Sequence, residues 1–213
     1  MTKPLRGIPF LIGTYIAVDA IRDVHLVVDG PYCTVMKAEV QAGHDLSSTL
    51  LSPHKDMRVV LTGLGPTYDE VNDLVTDRQS SVREVVERVI RGGEAGLVLF
   101  TEFDFHSLLA TPLPGLLKEI AAESPVPVMH LPSRSLGGDW LDGYADTTSV
   151  LARELDLGAP DPSDDRVAIV GYLHDRGEPD HEGNLAVLRE LCAAFGKELV
   201  SVWLSGGKVR DLK

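Results

Sequence analysis

Six short runs rich in valine, isoleucine and leucine recur along the chain: VHLVVD (24–29), MRVVLTG (57–63), AGLVLFT (95–101), VPVMHL (126–131), RVAIVGY (166–172) and ELVSVWL (198–204). Their apolar residues are continuous rather than alternating, the pattern of strands covered on both faces. Amphipathic stretches separate them. SVREVVERVIRGG carries Val82, Val85, Val86, Val89 and Ile90 on one face and then stops at glycines, and GYADTTSVLARELDLG and EGNLAVLRELCAAFG also read as helices ended by glycine. Strand and helix alternate, so the chain is expected to form an α/β fold with a parallel sheet and right-handed crossovers.

The charge balance narrows the partners. With 32 acidic against 20 basic residues the net charge is -12, which argues against a nucleic-acid groove or an anionic membrane as the main partner. No apolar run approaches the roughly 20 residues of a membrane span. The first residues, MTKPLRGIPFLIG, are interrupted by Pro4 and Pro9 and lead into no clean cleavage site, so a cytoplasmic protein is expected. The stretch DLGAPDPSDDR has the proline, aspartate and serine of a linker. It divides the chain into a first α/β domain (1–157), a linker (158–165) and a tail (166–213) too small for a core of its own.

In open α/β sheets, ligands collect beyond the carboxyl ends of the strands. The residues there are Asp29-Gly30-Pro31-Tyr32-Cys33, Gly63-Leu64-Gly65-Pro66-Thr67-Tyr68, Glu102-Phe103-Asp104-Phe105-His106 and Pro132-Ser133-Arg134-Ser135. GLGPTY lacks the third glycine of a dinucleotide fingerprint, and SGGKVRD lacks the upstream glycine and the Ser or Thr of a Walker loop, so no nucleotide site is expected in this chain. No Gly-x-Ser-x-Gly elbow occurs. His174, Asp175, Asp180 and His181 crowd the loop YLHDRGEPDHEG; they are candidates for holding a divalent cation, but a solvated charged loop is the favoured reading, since no two of them have the spacing of a helical zinc pair.

Two cysteines remain. Cys192 stands at helical spacing with Leu188 and Leu191, where a cysteine serves as a small buried hydrophobe. Cys33 follows the turn after the first strand and is a nucleophile, a metal ligand or a buried spectator; its neighbours Tyr32, Thr34 and Lys37 do not decide between these.

The order of these loops resembles the component 1 family of nitrogenases and nitrogenase-like reductases, which includes the molybdenum-iron protein and the dark-operative protochlorophyllide reductase. VVDGPYC is similar to that family's His-Gly-Pro-x-Gly-Cys loop, which carries a cluster cysteine. The segments SSTLLSPHKDMRVVLTGLGPTYDEV, LVLFTEFDFHSLLATPLPGL and VPVMHLPSRSLGGDWLDGYADTTSVLARELDL follow in the family's order, and the sequence from RVAIVGYL onward resembles the opening of its second Rossmann-like domain. The departures are an aspartate in place of the first loop's histidine, Tyr32 in place of the glycine before Cys33, and no earlier cysteine around Gly7 to Leu11.

The resemblance implies Rossmann-like units, the tail being the start of a second, incomplete one. It implies an oxidoreductase subunit that pairs with a homologous component 1-like subunit, takes electrons from an ATP-hydrolysing iron protein and borders a shared iron-sulfur cluster. Cys33 is the candidate cluster ligand, and such clusters normally take about four thiolates. Asp104 is the weaker candidate, because an aspartate before FHSLL is a good helix N-cap, and that structural reading is the favoured one. The alternative is a scaffold or interaction subunit that keeps the fold without a cluster.

Overall fold

The computed structural model describes residues 9–30, 58–62, 78–103, 112–134, 137–158, 164–174 and 180–212. Its first sheet has four parallel strands, β1 (Val24–Asp29), β2 (Val59–Leu61), β3 (Leu97–Glu102) and β4 (Val128–Leu131), in the order β2-β1-β3-β4. A second sheet pairs β5 (Arg166–Ile169) with β6 (Glu198–Val202), again in parallel, with a register shift at Val167/Ala168. The helices are α1 (Phe10–Asp19), α2 (Arg78–Arg91), α3 (Leu113–Glu123), α4 (Trp140–Glu154) and α5 (His181–Ala194), followed by a 3-10 turn at Val209–Leu212. The fold is α/β with parallel sheets, as the continuous apolar runs predict.

Alternation along the strands sends side chains to two cores. Leu26, Val28, Leu97, Leu99, Met129 and Leu131 join a cluster with α1 and α4, while Val27, Val98 and Phe100 join one with α2 and α3. Each fully buried aliphatic side chain contributes about 1.5–3 kcal/mol relative to exposure, so both faces of β1 and β3 hold the sheet in place. Residues 204–212 close the first cluster through Leu204, Val209 and Leu212. Backbone bonds fix that segment to the α1–β1 turn: Gly206 N donates to Ala20 O at 2.8 Å and Arg22 N to Gly207 O at 2.7 Å. Asp23 adds a side-chain bond, its Oδ1 accepting from Val209 N at 2.7 Å.

Helix α1 was not apparent as a helix from periodicity. Its buried residues Phe10, Leu11, Gly13, Thr14, Tyr15, Ala17 and Val18 cover rather more than half of its circumference, and Ile12 and Ile16 on the other side are half-buried, so the helix has no polar, solvated face. Its enclosure depends on α4. A Cβ at Gly13 would collide with the Trp140 carbonyl, and one at Gly143 with the Phe10 carbonyl, so the two helices touch backbone to backbone. The Thr147 hydroxyl, which donates to Gly143 O at 2.7 Å, lies 3.3 Å from the Thr14 hydroxyl across this crossing.

Helix α4 begins three residues before Gly143, where the sequence reading started it. Asp139 accepts from Leu141 N at 3.0 Å and Asp142 N at 3.3 Å, and Asp142 accepts from Asp139 N at 2.9 Å. This reciprocal box satisfies amides that the first turn leaves without partners.

Candidate functional site

The carboxyl edge of the first sheet is organised around Asp29, the last residue of β1. Its side chain is fully buried, and the Arg78 guanidinium at the start of α2 binds it. Arg78 Nε donates to Asp29 Oδ2 at 3.0 Å, Arg78 Nη2 donates to Oδ1, and the Thr62 hydroxyl beyond β2 donates to the same oxygen at 2.5 Å. Arg78 Nη2 also reaches Thr62 Oγ1 at 3.3 Å. A planar guanidinium forked onto a carboxylate is the strong form of ion pair, and burial leaves it little screened. Burial pushes the Arg78 pKa below its ordinary value.

The geometry follows from side-chain alternation. Asp29 shares a face with Val27, the α2/α3 face, so its carboxylate meets the first turn of α2. Its backbone is held too, the carbonyl accepting from Phe103 N at 2.8 Å. Glu102, at the end of β3, pairs in register with Asp29. Asp29 is therefore an internal brace at the end of β1, tying it to α2 and to the residue after β2. Cys33 and Asp104 themselves lie outside the described residues, as do Gly63–Tyr68, Phe105, His106 and Ser135. From the loop after β4, Arg134 donates to Asp146 Oδ2 at 2.9 Å and 2.7 Å, an exposed pair worth about 0–1 kcal/mol.

Sequence reasoning missed Arg78 as the partner of Asp29, since nothing in TDRQSSVREVV distinguishes its first arginine. It also read Cys192 as buried beside Leu188 and Leu191. The structure corrects this: Cys192 is half-buried and Leu191 is 54% exposed, because α5 turns mainly Leu185 inward.

At the two described ends of the segment 172–181, Tyr172, His174 and His181 are half-buried and in mutual contact. His181 Nδ1 lies 3.0 Å from the Tyr172 hydroxyl and 3.3 Å from His174 Nδ1, and its Nε2 is 2.8 Å from Ser205 O. The Tyr172 carbonyl accepts from the Tyr144 hydroxyl of α4 at 2.8 Å. Asp180 is exposed and Asp175 lies outside the described residues. Among the described residues no three histidine, cysteine, aspartate or glutamate side chains converge on one point, and no helix there is long and apolar enough to cross a membrane.

Two strand histidines carry a pH dependence. Burial lowers the pKa of His130, whose Nε2 has no hydrogen-bond partner. Burial and then the nearby Arg58 charge lower that of His25. In the unfolded chain each titrates near its ordinary value of about 6.5. Below that pH the unfolded state binds protons that the folded state refuses, so stability is full above pH ~6.5 and is lost as pH falls through the lowered folded values. Thermal melts should show Tm dropping from pH 7 to 5, and His130→Gln should flatten part of that slope. An unchanged slope would remove His130 from this account.

No protein-family model and no curated protein matches the sequence. Solved structures do match in fold. Nitrogenase Cp1 at pH 5 superposes with a TM-score of 0.67 at 10% identity over 100% of this chain. Nitrogenase Cp1 at pH 6.5 gives 0.68 at 13% identity over 99%. The chain spans only 42% and 43% of the length of those two chains. At such identities the likeness is one of fold alone: this chain has the α/β fold of the part of nitrogenase Cp1 on which it superposes.

Proposed function

We propose that this chain is a subunit of a nitrogenase-like oxidoreductase, receiving electrons from an ATP-dependent iron protein at or near an iron-sulfur cluster bordered by Cys33. The observation that carries the reading is the superposition of the whole chain on nitrogenase Cp1; within this reading residues 166–213 are taken as the start of a second Rossmann-like unit. The rigid Asp29–Arg78 brace supports it from the other side, because a cluster ligand four residues after a fixed carboxylate would be anchored by the sheet.

A component 1-like partner subunit is part of this reading. Helix α5 buries Leu185, yet Val187 (61%) and Leu191 (54%) are exposed on it, Phe195 (73%) is exposed at its C-cap, and Val170 (66%) is exposed just after β5. Val187 and Leu191 stand one turn apart on one face of α5, and exposed apolar neighbours of this kind mark association surfaces. The matched chains are more than twice as long, so their fold continues beyond what this chain supplies. The homologous subunit is the occupant proposed here, and it would also provide the thiolates that Cys33 alone cannot.

The test is anaerobic co-expression with a component 1-type subunit encoded beside it, followed by iron and acid-labile sulfide analysis. A brown complex whose iron falls several-fold in Cys33→Ser is the expected result. A stable, colourless, iron-free complex would overturn the cluster and leave a scaffold subunit; iron unchanged in Cys33→Ser would remove Cys33 as ligand.

A further inference from the structure

We propose that Tyr172, His174 and His181 form a binding site for one divalent transition-metal ion of the borderline class, with Zn2+ as the ion that suits the donors. The three side chains stand beyond the carboxyl ends of β5 and β6 and at the first turn of α5, the ligand edge of an α/β unit.

The tautomer of His181 is fixed by its surroundings. Ser205 O can only accept, so His181 Nε2, 2.8 Å away, carries the proton, and the neutral ring presents a bare Nδ1. That nitrogen is 3.0 Å from the Tyr172 hydroxyl and 3.3 Å from His174 Nδ1. Donors held 2.0–2.1 Å from a zinc ion stand roughly 3.3 Å apart in a tetrahedron, and somewhat closer along a square or octahedral edge. The rings meet edge-on, with centroids 4.3 Å apart and planes at 68°, so they do not stack. Nitrogen and oxygen atoms at these spacings share protons when metal-free, and an ion displaces those protons on binding.

The supporting shell is built as metal sites require. A ligating histidine usually donates its second ring N–H to a carbonyl or carboxylate, as His181 does to Ser205. The next residue is glycine for two reasons: Gly206 has φ +91°, and a Cβ there would come within 3.3–3.5 Å of both imidazoles. The Tyr172 carbonyl is tied to Tyr144 of α4, so the first donor is anchored to the main body of the protein. Two imidazoles and a phenol favour a borderline ion over a hard one such as Mg2+, which prefers carboxylate and water.

The experiment is calorimetric titration of the metal-free full chain with Zn2+, with Co2+ absorption as a second reading. One Zn2+ per chain is expected, with a tetrahedral Co2+ spectrum lacking thiolate charge-transfer bands. His174→Gln and His181→Gln should each weaken binding by about 10-fold or more, while Cys33→Ser leaves it unchanged. Folded wild-type chain that binds no Zn2+, binding untouched by His181→Gln, or a thiolate band that vanishes in Cys33→Ser would each overturn the site. The last two results would leave the cluster reading of Cys33 standing, so the two proposals fail separately.

Discussion

Replacing Gly143 by alanine is expected to unfold the first α/β unit or to cost about 3 kcal/mol or more, the upper end for overpacking. The new methyl would lie on the Phe10 carbonyl, within the span of contacts that also includes Thr14 N. Both obstacles are helix backbone, which cannot swing aside as a side chain would. Helices α1 and α4 would have to part, opening the cluster that contains Phe10, Tyr144 and Leu151 and loosening the 204–212 segment packed on it. Gly13→Ala should behave alike, since its methyl would meet Trp140 O and Tyr144 N. The control is Gly115→Ala in α3, where nothing lies within 4 Å of the added carbon. There alanine should stabilise by about 0.5–1 kcal/mol through helix propensity and lower unfolded-state entropy. Urea unfolding followed by far-ultraviolet circular dichroism separates the cases. Equal midpoints for Gly143→Ala and Gly115→Ala would mean that the helices do not cross backbone to backbone.

The same crossing explains which elements were legible in the sequence. All six strands could be read from their apolar runs; burial on both faces accounts for those of β1 and β3, and VHLVVD coincides with β1, whereas β5 and β6 are apolar in sequence without being buried. Strand ends were less legible: the run 166–172 yields a strand only to Ile169, after which the chain leaves the sheet with Gly171 at φ +93°. Helix α1 carried no amphipathic signal, having no polar face, and Pro9 looked like an interruption. In the structure Pro9 is the residue before the first turn, where a missing N–H is harmless. Gly143 looked like the boundary of α4 because glycine weakens a helix locally; its reason is tertiary, the approach of α1.

Site chemistry was legible where it depends on strand ends and illegible where it depends on long-range pairing. Asp29 could be placed at the carboxyl edge from the sequence alone. Its partner could not, because Arg78 lies 49 residues away and its meeting with Asp29 is set by which face of β1 the α2 helix covers. Likewise His174 and His181 were visible as neighbours in one loop. Tyr172 was read as the last residue of a strand, and only the early end of β5 frees it to join them.

The buried Asp29–Arg78 pair leads to the second large effect. Arg78→Met would take the guanidinium away from a fully buried carboxylate, and Asp29→Leu would take the carboxylate away from a buried guanidinium. Removing one partner of a buried ion pair costs about 3–5 kcal/mol, because the remaining charge has neither water nor a counter-ion. The double replacement Asp29→Leu with Arg78→Met removes both charges and fills similar volume, and such exchanges are often neutral or stabilising. A double-mutant cycle by chemical denaturation should therefore give two severely destabilised single variants and a double variant near the wild type. Single variants that lose less than about 1 kcal/mol would show that the pair is hydrated in solution. The double variant also separates stability from function. It keeps the backbone bond from Phe103 N to Asp29 O but loses the charged brace ahead of Cys33. If that variant folds normally while the iron of the co-expressed complex falls as it does in Cys33→Ser, the ion pair acts by positioning the cysteine turn. Full iron retention would confine Asp29 and Arg78 to holding β1, β2 and α2 together.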